Sequence, residues 1–410
     1  MKNLTLLKRI FIALILGVIL GITCSKTGIL FPVKIFATFS GLFGNFLSFV
    51  IPFIIIGFIV PGIANLGKSS GKTLLLTTAF AYVSTIIAGT IAYLLGVSIL
   101  PKLITKATLS KGSGLAADPY FTINIPPMFD IMSALVFAFV MGIALSKMKN
   151  SSLLNGFNEF SKIITMVIEK VLIPLVPVYI FSIFAKLSLS GEIFTTLKSF
   201  AFVYAIIIPL QLLYILAQYS LAGGISGKNL FKMLKNQLPS YFTALGTQSS
   251  AATIPVNLEC VKENGVSEDI ADFVVPLCAT IHLAGDTITL VLASMGVMYL
   301  NNKVPTFTTM MPFIFMLGVT MVAAPGVPGG GVMAALGLLQ SMLGFGDIEK
   351  SIMIALHAAQ DSFGTATNVT GDGAIAVIMD YIIQKLAARE IKKETVAKPD
   401  LELQKAVVNK

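Results

Sequence analysis

The run Ala355-Leu-His-Ala-Ala-Gln-Asp-Ser-Phe-Gly-Thr-Ala-Thr-Asn-Val-Thr-Gly-Asp372 holds more polar chemistry than any other stretch of this apolar chain. Wound as a helix, it places His357, Asp361, Gly364 or Thr365, Asn368 and Asp372 at steps of three, four and seven, on one face. Asp361 and Asp372 are eleven residues apart. Their carboxylates therefore stand about 16 Å apart along the axis, too far to share one proton. That spacing suits two binding positions, one above the other. The run sits inside a hydrophobic span reaching Ile383, so the face lies at membrane depth. A carboxylate there costs several kcal/mol unless a cation, a donor or water accompanies it. The plainer alternative is a pair of acids satisfied by helix packing; the base rate of functional intramembrane charges favours binding.

Such a face needs spanning elements around it, and the composition provides them. With 55% hydrophobic and 12% charged residues among 410, and a mean hydropathy of +0.87, the chain is a polytopic membrane protein rather than a soluble one. The formal charge of +9 sits in short connections and the tail, without an aromatic-interleaved basic patch, which argues against nucleic acid as a partner. Cys24, Cys260 and Cys278 have no metal-ligand spacing and read as small core residues. Lys8-Arg9 followed by Ile10 to Ile22 resembles a signal peptide, but further spans follow at once, so an uncleaved first transmembrane helix is expected.

Apolar runs long enough to cross a bilayer core lie near 9–31, 34–65, 74–100, 127–146, 160–187 and 195–222. Pro52, Pro61, Pro174 and Pro177 predict kinks rather than breaks. The stretch 238–257 is too polar at Gln248, Ser249 and Ser250 to cross and reads as a re-entrant hairpin. A second hairpin spans about 305–345, centred on Ala323 to Gly331, where glycines free the backbone for ligand contact. Full spans at 268–300 and 350–386 follow the two hairpins. One crossing separates the hairpins, so they enter from opposite sides, the inverted-repeat logic of secondary transporters. With the N-terminus cytoplasmic, most basic connections and the tail fall on one side, placing both termini inside a multi-pass cell-membrane protein. The expected fold is thus all-α, with eight transmembrane helices and two re-entrant helical hairpins.

The segments Ser249-Ser-Ala-Ala-Thr-Ile-Pro-Val256, Pro276-Leu-Cys-Ala-Thr-Ile281, Gly326-Val-Pro-Gly-Gly-Gly331 and Thr367-Asn-Val-Thr-Gly-Asp372 resemble, in order, the dicarboxylate/amino acid:cation symporter family that includes the glutamate transporters. The first hairpin and Gln360-Asp-Ser362 are most similar to its bacterial serine/threonine branch. The resemblance implies a homotrimer of elevator type. Residues 1–73 and 101–194 would form a static scaffold, 74–100 and 195–388 a moving transport domain, and 389–410 a cytoplasmic tail. It further implies that Asp361 binds the substrate ammonium. Asn368 and the Thr365 region would bind the α-carboxylate, helped by Ser250 and by backbone at Val327 and Gly331. Asp372, with main-chain oxygens near Cys278, His282 and Asn368, would hold a sodium ion. Carbonyls near Thr280 and from Met321 and Val322 to Ala324 would hold a second, and oxygen ligands suit such a hard cation.

Two departures bear on specificity. Acidic-substrate members carry an Arg where this chain has Gly364, and without it a dicarboxylate would be buried unpaired. The family's Asn-Met-Asp-Gly-Thr reads His282-Leu-Ala-Gly-Asp286 here. Ala284 removes the acid of a third sodium site that also uses hydroxyls matching Ser84 and Thr85, so fewer sodium ions, or a proton, are coupled. Asp286 has three open readings: it accepts a basic side chain, it pairs with His282 or His357 as a proton-linked couple, or it hydrogen-bonds a small neutral amino acid. Each histidine also has the plainer reading of a satisfied core imidazole. The expected function is a cation-coupled symporter of an amino acid without an acidic side chain; a basic amino acid, or an acidic one or dicarboxylate, is the alternative. Two other classes fit less well. An intramembrane aspartyl protease needs glycine where Leu283 stands, and a channel seldom carries two dissimilar hairpins per chain.

Overall fold

The computed structural model describes residues 6–68, 72–104, 115–148, 151–191, 193–322, 324 and 328–408. Every regular element among them is helical, as expected where no water can satisfy an open backbone. In chain order the helices are α1 (Leu6–Thr27), α2 (Phe31–Lys68), α3 (Lys72–Leu103), α4 (Ile131–Ser146), α5 (Ser152–Val167), α6 (Ile173–Leu189) and α7 (Ile193–Ser226). They continue with α8 (Leu230–Thr247), α9 (Ser250–Glu263), α10 (Glu268–Ile281), α11 (Ala284–Leu300), α12 (Phe307–Met321), α13 (Gly330–Leu343) and α14 (Asp347–Val408).

By length and composition, six described segments can cross a membrane: Lys8–Thr27, Phe31–Asn65, Thr73–Leu103, Ser152–Leu189, Thr196–Ser226 and Glu268–Leu300. The sequence expectation of eight also includes α4, which at 16 residues is shorter than the roughly 20 a bilayer core requires, and the polar α14. Burial sorts the segments. In Glu268–Leu300, 83% of the most apolar window is buried, against 28% in Lys8–Thr27, so α10 and α11 form the centre and α1 the rim. On that rim Phe11, Leu16 and Ile19 of α1, Leu94 of α3 and Leu213 of α7 are exposed. Apolar patches of this extent fit lipid rather than water.

Several boundaries differ from the sequence reading, each for a local reason. The run near 9–31 stops at Thr27 because Gly28 turns left-handed at φ +72°. The run near 127–146 begins as a helix only at Ile131, after Pro126 and Pro127. The run near 160–187 starts earlier, where Ser151 caps α5 by accepting from the Leu154 amide at 3.3 Å. Between α5 and α6 the turn Ile168–Leu172 widens to a π-helix just ahead of Pro174, relieving the ring's clash with the preceding turn. Pro52 and Pro61 lie within an uninterrupted α2.

The first hairpin has longer limbs than 238–257: α8 and α9 pack on each other, joined where Gln248 turns at φ 55° and Ser249 caps α9. The second is α12 and α13, which also pack together. The span 268–300 is not one helix. It breaks at His282, whose backbone is extended, and at Leu283, which is neither helical nor extended, and restarts at Ala284. Both hairpins and the broken helix pack on α14, while α1 packs on α6, and α2 on α4, α5 and α6.

Candidate functional site

The central turns of α14 are buried through Asp380, and His357, Asp361, Thr365, Asn368 and Asp372 share the face turned to the α10/α11 break. Gly285, just past that break, is what allows the approach. A Cβ on it would lie 2.4 Å from the Gly364 carbonyl oxygen and 2.7 Å from Thr367 Cβ. Its amide donates to Asn368 Oδ1 at 2.7 Å, and its carbonyl accepts from Gln211 Nε2 at 3.1 Å. The freed backbone groups of the break are therefore met by amides from α14 and α7.

Two buried Asp–His pairs stitch the break to α14. His357 donates from Nε2 to Asp286 Oδ1 at 2.9 Å, and Asn368 Nδ2 donates to Asp286 Oδ2 at 2.9 Å. Farther along, His282 donates from Nδ1 to Asp372 Oδ1 at 2.9 Å, while its Nε2 faces the Ser84 hydroxyl at 3.0 Å. Asp286 is thus joined to His357 and not to His282. In place of a His282–Asp286 couple, the non-helical backbone at His282 and Leu283 carries that imidazole toward Asp372.

Asp361 accepts from the Gly329 amide at 2.8 Å through Oδ2 and from Thr365 Oγ1 at 3.4 Å through Oδ1. The hairpin α12/α13 therefore closes directly over this acid. Gly331 and Gly364 wall the Asp286–His357 pair. A Cβ at 331 would sit 3.2 Å from both Asp286 Cγ and His357 Nε2, and one at 364 only 2.9 Å from Asp286 Oδ1. Ser250 opens α9 at the tip of the first hairpin, where Gln248 Nε2 donates to Ser362 of α14 at 2.9 Å. Val327 lies outside the described residues.

Of the residues expected around cations, Asp372 is fully buried and its Oδ2 has no hydrogen-bond partner. A buried carboxylate oxygen left this way is what a cation would satisfy. The Cys278 carbonyl accepts the His282 amide at 2.9 Å, which leaves it one lone pair, and Cys278 is buried beside Asp372. Thr280 donates its hydroxyl proton to the Leu277 carbonyl at 2.8 Å. Met321 and Val322 close α12, and the Met321 carbonyl accepts the Ala324 amide at 3.3 Å. Ala284 is buried at the start of α11; Ser84 faces His282, and Thr85 bonds the Ala81 carbonyl at 2.9 Å.

Three polar residues of α7 that support the site were not singled out from the sequence. Gln211 Nε2 also donates to Gln360 Oε1 at 2.9 Å and to Thr289 Oγ1 at 3.1 Å, behind Gly364 and Asp286. Gln218 Nε2 and Tyr214 Oη meet Ser84 Oγ at 3.0 and 2.9 Å. The signal was present: Gln211, Tyr214 and Gln218 recur at steps of three and four within an otherwise apolar helix.

A multi-pass helical protein with two packed hairpins, a broken central helix and paired buried acids is the architecture of a membrane carrier. The model of the sodium:dicarboxylate symporter family matches residues 6–382, and the chain belongs to that family, whose members are transporters and not enzymes. It is 30% identical to the neutral amino acid transporter A of Bos taurus over 288 residues, covering 65% of this chain and 52% of that protein. It is 28% identical to the neutral amino acid transporter B(0) of Oryctolagus cuniculus over 278 residues, covering 65% and 50%. With the excitatory amino acid transporter 1 of Homo sapiens it shares 30% identity over 191 residues, 46% of this chain and 33% of the relative. The chain spans about half the length of the neutral amino acid transporters it matches.

Proposed function

We propose that this protein is a secondary-active, cation-coupled symporter of a small neutral amino acid. The observation that carries the exclusion of acidic substrates is the position of Asp286. Its carboxylate fills the space beside Gly364 where an Arg would have to stand, and it brings a negative charge to the side-chain end of the pocket. A substrate carboxylate there would face Asp286 and Asp361 with no cationic partner, which costs several kcal/mol. The names of the neutral amino acid relatives point the same way.

In this reading Asp361 takes the substrate ammonium, while Asn368, Thr365, Ser250 and backbone at Val327 and Gly331 serve the α-carboxylate. Asn368 Nδ2 gives one of its two protons to Asp286 and keeps the other for the substrate. A basic side chain is disfavoured because both oxygens of Asp286 already accept, one from His357 and one from Asn368. Asp372, with carbonyls at Cys278, His282 and Asn368, holds sodium; Thr280 and Met321 to Ala324 supply a second position. The grouping of α1, α2 and α4 to α6 supports a scaffold, against which the hairpins, α3, α7, α10, α11 and α14 move as an elevator in a homotrimer of eight-span subunits in the cell membrane. The test is a thermal-shift panel of amino acids on the purified protein, with and without sodium. Sodium-dependent stabilisation by small neutral amino acids and none by aspartate or glutamate is expected; stabilisation by aspartate alone overturns the reading.

The His357–Asp286 bond favours a second coupling mode, in which a proton replaces a sodium ion. Its mark is a pH dependence of uptake that His357→Gln removes. An unchanged pH profile in that variant retires it.

A further inference from the structure

Among the described residues one group of three metal-ligating side chains converges: Asp286, His357 and Asp361 each offer a ligand atom, and these atoms all lie within 4.8 Å of one another. All three side chains are buried. We propose that they form a site for a single divalent cation of the zinc class, bound in competition with the transported solute. The competition rests on the transport reading above; the metal binding does not.

Charge is the first argument. Neither acid has a Lys or Arg ion-pair partner among the described residues, so even a protonated His357 leaves the trio with excess negative charge. A dication on two carboxylates and one neutral imidazole brings the sum to zero. Ligand type is the second. An imidazole nitrogen with two carboxylate oxygens selects a borderline transition metal over sodium or magnesium, which prefer oxygen throughout.

Geometry is the third. His357 Nε2 and Asp286 Oδ1 stand 2.9 Å apart. Two ligands at about 2.1 Å from zinc are separated by about 2.9 Å at a right angle and about 3.4 Å in a tetrahedron. The pair is thus already at coordinating distance; Asp361, whose ligand atom lies within 4.8 Å of both, completes the site by moving inward from its bonds to the Gly329 amide and Thr365. His357 and Asp361 are one helical turn apart, so α14 fixes their relative position. Metal on Nε2 displaces the proton shared with Asp286 and places the imidazole proton on Nδ1, a buried nitrogen without a partner. Lacking that outer hydrogen bond, the site is weaker than one with a carboxylate behind its histidine, by about tenfold or more.

The test is zinc K-edge absorption on the full-length protein loaded with zinc chloride in detergent. The expected nearest shell is nitrogen and oxygen at about 2.0–2.1 Å with no sulfur at about 2.3 Å. His357→Gln should lose the bound zinc, and His282→Gln should keep it. A sulfur shell would place the metal on Cys24, Cys260 or Cys278 and overturn the proposal, as would full zinc retention by His357→Gln or no binding by the unmodified protein. Should His357→Gln fail to fold, His282→Gln carries the test, since loss of the bound zinc in that variant would place the metal on the His282–Asp372 pair and overturn the proposal. Zinc bound in the expected shell without effect on solute binding removes the competition alone. Zinc bound as expected by a protein that transports no amino acid refutes the transport reading and leaves the metal site standing.

Discussion

Placing an arginine at position 364 tests the steric logic of the pocket. A Cβ there would sit 2.9 Å from Asp286 Oδ1 and 3.0 Å from Gln360 Nε2, several tenths of an ångström inside ordinary contact. Neither neighbour is free to yield. Asp286 is held by His357 and Asn368, and Gln360 by Gln211 and Thr289. Overpacking costs about 1–3 kcal/mol, and breaking one bond to the Asp286 carboxylate costs about 1.5–3 kcal/mol more. Gly364→Arg alone should therefore be destabilised by about 3–5 kcal/mol. Its guanidinium would be claimed by Asp286 and would read no substrate. Adding Asp286→Thr removes the closer of the two contacts and the competing charge. The double variant should recover stability and bind aspartate at least about tenfold more tightly than the single variant, a difference of about 1.4 kcal/mol. Isothermal titration with aspartate, alongside thermal denaturation, reads both quantities. If Gly364→Arg by itself melts like the parent and binds aspartate as tightly as the double variant, Asp286 does not occupy the space assigned to it.

Three further outcomes are expected. Gly285→Ala puts a methyl against the Gly364 carbonyl and should cost about 2–3 kcal/mol or prevent folding, because backbone cannot step aside as a side chain can; an unchanged melting curve would contradict the close packing of α11 on α14. Asp372→Asn should weaken the sodium dependence of solute binding by about tenfold or more while leaving the Asp286–His357 end intact, since it removes the charge behind the unpartnered Oδ2; a sodium titration that overlays the parent's would remove Asp372 from the cation site. Gln211→Leu removes the α7 donor to the Gly285 carbonyl and to Gln360 and leaves the single Thr289 hydroxyl proton to serve both, which should cost about 1–3 kcal/mol. A stability equal to the parent's would show that the break does not rely on α7.

Much of this was legible in the residues. The polar stripe of α14 declared itself by its spacing, and the glycines and prolines around 248 and 328 declared turns too polar to cross. What was hidden was set by tertiary contact. The interruption at His282 and Leu283 has no proline or glycine at the break itself; it is held open by Asn368 and Gln211 from other helices. The choice of His357 over His282 as partner of Asp286 followed from that interruption, which no periodicity encodes. The π-turn before Pro174 is likewise a local accommodation that a kink prediction approaches without resolving. Gln211 and Gln218 were visible as polar residues on an apolar helix, but their meaning depended on knowing which helix they faced.

The most direct measurement is uptake of a small neutral amino acid into proteoliposomes under an imposed inward sodium gradient. Concentrative uptake that collapses when the gradient is dissipated, and that Asp361→Asn abolishes, is the predicted result. Uptake indifferent to the gradient, or undiminished by Asp361→Asn, would contradict the assignment of the buried α14 face as the solute and cation site.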